Sequence, residues 1–68
     1  MTLQQFDAIA SLIRMRGASR EAARMVLVEG ASLLSAATAT GITVAGASNA
    51  VQRARRARDL AVIAAAQD

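Results

Sequence analysis

Ser48, Asn49 and Gln52 lie directly ahead of Arg53, Arg55, Arg56 and Arg58, and the two sets offer different kinds of bond. A carboxamide presents a donor beside an acceptor, which matches N6 and N7 of adenine, while the methyl groups of Val44 and Ala45 match the methyl of thymine. Guanidinium groups match phosphate oxygens, and several on one helix neutralise several phosphates at once. A neutral hydrogen-bonding patch flanked by arginines is therefore suited to base edges bordered by phosphates. The candidate base-reading set is Val44, Ala45, Ser48, Asn49 and Gln52. The candidate phosphate set is Arg53 and Arg56, one turn apart, with Ser32, Ser35 and Thr43 offering hydroxyls or amides at helix starts. Arg55 and Arg58 turn elsewhere. The bland alternative is a solvated helix surface, and capping alone accounts equally well for Ser32.

All eight basic residues are arginine, half of them fall between Arg53 and Arg58, and the net charge is +3, so an anionic partner is expected. Double-stranded DNA is the leading one. Arg14, Arg16, Arg20 and Arg24 surround a helix end and a loop, where most are expected to play a structural role by neutralising carbonyls or pairing with Glu21. Asp7, Glu21 and Glu29 read as helix-surface or arginine-pairing carboxylates. The chain has no histidine, cysteine, tyrosine or lysine, which leaves no constellation for proton transfer or nucleophilic attack and none of the usual zinc ligands. No enzymatic activity, metal or other cofactor is expected.

These side chains need a rigid carrier. A chain of 68 residues has room for one domain with a small core. Abundant alanine, no proline and a single aromatic residue, Phe6, favour helices over strands. The expected fold is all-α: a compact bundle of four to five helices containing a helix-turn-helix. Thr2 and Gln5 have capping-box spacing for a first helix with Leu3, Phe6, Ile9, Ala10 and Ile13 inward and Gly17 as its stop. Ser19 is placed to cap a second helix, with Ala23, Val26 and Leu27 inward and Glu29-Gly30 at its end. Ser32 caps a third from Leu33 to Thr40, with Leu33, Ala36 and Ala37 inward. A tight crossing to the next helix needs a small residue at the contact, a glycine free to take positive φ, and an apolar wedge. Ala37, Gly41 and Ile42 supply these in order. Thr43 caps a fourth helix from Val44, with Ala47, Ala50, Val51 and Ala54 inward, which leaves the candidate readers facing out.

Residues 1–58 are read as the helix-turn-helix DNA-binding domain and 59–68 as an Ala-rich helical tail. Leu60, Val62 and Ile63 in that tail are the dimerisation candidates, with folding back onto the domain as the equal alternative. A core made largely of alanine buries little area per residue, which favours a homodimer or DNA as an additional source of stability.

The residues also carry a resemblance. Ala23 to Gly30, ARMVLVEG, followed by the turn at Gly41-Ile42-Thr43 and the ASNAVQR run ending at Arg53, resembles the TrfB/KorA family of plasmid transcriptional repressors. That family has an AR-x-VLVDG element, a GLT turn and a V-S-Q-A-V-H-R run in the same order, and the similarity spans roughly Leu3 to Arg53. It implies an all-α DNA-binding domain that represses promoters by binding palindromic operators as a homodimer, with Ser48, Asn49 and Gln52 in the base-reading stretch. Val44 stands where the family pattern has an arginine able to reach guanine, which leaves the operator sequence open. KorA-type proteins continue into a separate dimerisation region, whereas this sequence stops soon after the fourth helix, so dimerisation by that route is not implied.

Two rivals remain. One is an interaction module that acts mainly by binding another regulatory protein or RNA polymerase, and salt dependence separates it from DNA binding. The other is a basic amphipathic membrane peptide, which Gly41 and Thr43 disfavour by interrupting any long polar face. The longest apolar run, Leu60 to Ala66, falls short of the roughly 18 to 20 residues of a membrane span, and the sequence does not open on a basic stretch followed by a long apolar one. The expected location is cytoplasmic, with no membrane partner.

Overall fold

A computed structural model describes residues 1–66 and gives four helices in chain order: α1 (Leu3–Leu12), α2 (Gly17–Leu27), α3 (Leu33–Thr40) and α4 (Val44–Ala66). No strand occurs among the described residues. The α1 start closes as a capping box: the Gln5 amide donates to Thr2 Oγ1 at 3.1 Å and the Thr2 amide donates to Gln5 Oε1 at 3.0 Å. Phe6, Ile9 and Ala10 are buried, Ile13 is half-buried, and Leu3 is 49% exposed, so the inward stripe begins one turn later than periodicity predicts.

The stop of α1 is the first correction. The helix ends at Leu12 rather than at Gly17, because Arg14 turns left-handed at φ 56 and the Met15 amide donates back to the Ala10 carbonyl at 2.8 Å. This is a Schellman closure with arginine in the place glycine usually holds, completed by the packing of Met15 and Ala10 in one cluster. Met15 is thereby buried although it lies outside any helix. Ser19 is the second correction. The chain re-enters helix at Gly17, whose φ of 70 tightens the corner, so Arg16 occupies the N-cap position without a side-chain cap and Ser19 falls inside the first turn.

Two apolar clusters follow. The larger gathers Phe6, Ile9, Ala10 and Met15 with Ala23 of α2 and Ala50, Val51, Ala54 and Ala57 of α4. The smaller is all alanine: Ala22, Ala36, Ala37 and Ala47, one patch from each of α2, α3 and α4. Val26 and Leu33 are half-buried and border both. Alanine at the contact lets helix axes approach closely, and this small-residue crossing fixes how α3 presents α4.

The buried positions of α4, Ala47, Ala50, Val51, Ala54 and Ala57, recur at three- and four-residue steps and leave the opposite face free. At 1.5 Å per residue its 23 residues span about 34 Å of a molecule 41 Å long. From Arg58 to Ala66 every residue is exposed, and these residues continue α4.

Candidate nucleic-acid interface

Hydrogen bonds fix both ends of α3 and the start of α4. Ser32 caps α3, its Oγ accepting from the Ser35 amide at 3.1 Å while its hydroxyl donates to Ser35 Oγ at 3.0 Å. At the other end, the Ala37 carbonyl accepts from the amides of both Gly41, at 2.9 Å, and Ile42, at 3.1 Å, with Gly41 left-handed at φ 74. Ile42 then packs against the cluster that holds Ala37. Ala37 thus contributes its carbonyl as well as its small side chain. Thr43 starts α4, its Oγ1 accepting from the Gly46 amide at 2.9 Å.

On the free face of α4, Asn49, Gln52, Arg53 and Arg56 line one surface concavity of about 460 Å³. Ser48 is joined to this group through Gln52, whose Nε2 donates to Ser48 Oγ at 3.4 Å. Val44 and Ala45 are exposed on the preceding turn. Ser32, Ser35 and Thr43 are exposed but committed locally to their caps, and none of them lines the concavity. Leu60 borders a neighbouring concavity of about 210 Å³ with Ile13, Arg53, Arg56 and Ala57, while Val62 and Ile63 stand exposed further along.

The arginines divide by partner. Arg24 is bonded to Glu21 through two nitrogens and to Glu29 at 2.8 Å. The hydrogen bond from Arg24 holds the Glu21 carboxyl below its ordinary range, and the same pairing, with help from Glu29, raises Arg24 further. Arg20 reaches Asp7 at 3.3 Å and the Met15 carbonyl at 3.4 Å, and Arg58 pairs with Asp59 at 3.1 Å. Among the described residues, Arg53, Arg55 and Arg56 form no ion pair, and neither do Arg14 and Arg16. The structural role expected of most upstream arginines is thus filled by the side chains of Arg20 and Arg24.

Compared with known families, residues 1–66 match the family model described as TrfB plasmid transcriptional repressor. The chain belongs to the TrfB plasmid transcriptional repressor family. No curated protein and no solved structure matches it. For a TrfB-family repressor the partner is DNA, and cationic side chains left free of carboxylates are the ones able to meet phosphate. No described helix of this TrfB-family chain is long and apolar enough to cross a membrane. Sequence reasoning passed over Met15, which no helical period marks. The available signal was the Arg-Met-Arg order itself, an apolar residue between two cations just past a helix.

Proposed function

We propose that α3 and α4 act as a helix-turn-helix, that the outer face of α4 enters the major groove of an operator, and that two copies repress from a pseudo-palindromic site. The observation that carries this reading is the grouping of Asn49, Gln52, Arg53 and Arg56 around one concavity, with both arginines unpaired among the described residues. Carboxamides can pair with adenine, and the flanking guanidiniums can hold the backbone on either side of the groove. Val44, Ala45 and Ser48 extend the reading surface toward the start of the helix, the part that enters the groove in this motif. Ser35 and Thr43 keep a hydroxyl hydrogen for a phosphate, and Ser32 would do the same by turning its hydroxyl hydrogen away from Ser35 Oγ. Leu60, Val62 and Ile63 supply apolar surface for the second copy.

Selection of bound duplexes from a random pool with the full chain, followed by titration at rising salt, tests the proposal. A recurrent inverted repeat is expected, with log affinity falling against log salt by about 0.9 per phosphate contacted. A flat salt response would instead identify a module that binds another regulatory protein.

A further inference from the structure

We propose that the corner between α1 and α2 is a second DNA-backbone site, in which Arg14 and Arg16 hold phosphates beyond the bases that α4 reads. The inference rests on the reading of α4 as the groove-entering helix. Ser11, Arg14, Met15, Arg16 and Arg20 line a concavity of about 350 Å³ at this corner. Met15, 3% exposed, anchors the chain in the core, and the exposed arginines on either side of it are fixed to that anchor. The left-handed backbone at Arg14 and the bond from the Met15 amide to the Ala10 carbonyl hold the corner in one conformation. Three guanidiniums meet here, yet the one carboxylate paired among them, Asp7, is engaged by Arg20. The remaining positive charge of Arg14 and Arg16 is uncompensated within the described residues, which suits an anionic ligand.

Position argues for duplex backbone as that ligand. Ile13, immediately before Arg14, lies in the concavity shared with Arg53, Arg56 and Leu60, and those two arginines also line the concavity of Asn49 and Gln52. The corner therefore continues the free cations of α4 around the side of the molecule. A duplex carries about one charge per 1.7 Å of axis, so such a strip can engage it as a continuous polyanion.

The test uses a duplex recovered by selection with the full chain, prepared with its core nearly bare and again with about one helical turn of unrelated flanking sequence on each side. The double variant R14Q/R16Q is expected to lose on the order of tenfold affinity on the long duplex at moderate salt, with the salt slope reduced by about two for each bound copy. On the trimmed duplex it should match the unaltered chain, and R14K/R16K should restore most of the flank-dependent gain. Circular dichroism of the variants checks that the fold is kept. If R14Q/R16Q binds the long duplex as tightly as the unaltered chain while Arg56→Ala weakens binding, the corner is not a DNA site although the α4 reading stands. If R14Q/R16Q loses equally on both duplexes, its arginines act within the core and the flanking site is overturned. If the unaltered chain shows no salt-dependent duplex binding, both readings fail together.

Discussion

Gln52 meets solvent with its carboxamide already oriented, since Nε2 donates to Ser48 Oγ one turn back. The second hydrogen on that nitrogen and the carbonyl oxygen are left for an adenine edge, so Ser48 acts on the proposed readout by positioning Gln52. This gives a graded expectation on a selected duplex. Asn49→Ala and Gln52→Ala should each cost about 1 to 3 kcal/mol of specific binding and little on random sequence. Ser48→Ala should cost about 1 kcal/mol, the scale of one neutral hydrogen bond. Fluorescence anisotropy on matched and scrambled duplexes reads both, and equal losses on the two duplexes would refute base readout for that residue. The same scale explains why like residues diverge: Arg24 is held by two carboxylates and Arg56 by none among the described residues, although composition counts them alike.

Among the elements, α3 and α4 depend on the turn that joins them, and α4 changes character along its length. Asn49, Gln52, Arg56, Leu60 and Ile63 follow one another at three- and four-residue steps, so one stripe passes from amide to guanidinium to hydrocarbon. The turn relies on Gly41. A Cβ there would meet no neighbour within 4 Å, so the cost of adding one is conformational, about 1 to 2 kcal/mol for a left-handed L-residue. Gly41→Ala should lower the urea midpoint by the corresponding amount with the slope of the transition unchanged. An unaltered midpoint would show that the α3–α4 angle does not depend on this φ. Ala37 is less replaceable than its size suggests, because a larger side chain would push α3 away from α2 and α4 while its carbonyl still closed the turn.

For the whole molecule, the core is thin, with Phe6 its one large side chain of negligible exposure. The outer two turns of α4 leave Leu60, Val62 and Ile63 between 53% and 62% exposed, while Leu3, Leu12, Leu34 and Val44 are exposed elsewhere on the surface. Under the dimer reading, replacing Leu60 and Ile63 with serine should leave the monomer fold intact, since neither contributes to either core cluster. Light scattering should then report the mass of one chain instead of two, and affinity for an inverted repeat should fall to that for a half-site. Recognition helices about 34 Å apart are what such a repeat requires. An unaltered chain that already scatters as a monomer would remove Leu60 and Ile63 from the dimer contact.

Composition and spacing alone determined the all-helical class, three of the four caps and most inward positions, because helix starts and amphipathic stripes are written in residues three and four apart. They also placed Asn49, Gln52 and Arg56 on one side of a helix and marked Ala37, Gly41 and Ile42 as the turn. Tertiary structure decided what local rules cannot carry. It ended α1 early through Arg14, buried Met15 by packing across the corner, and continued α4 to Ala66. It also assigned each carboxylate of residues 1–66 to an arginine, Asp7 to Arg20 across 13 positions of sequence and Glu29 to Arg24 across a helix end. A charge is neutralised by what stands beside it in space. Which guanidiniums stay free to meet DNA is therefore a property of the folded chain.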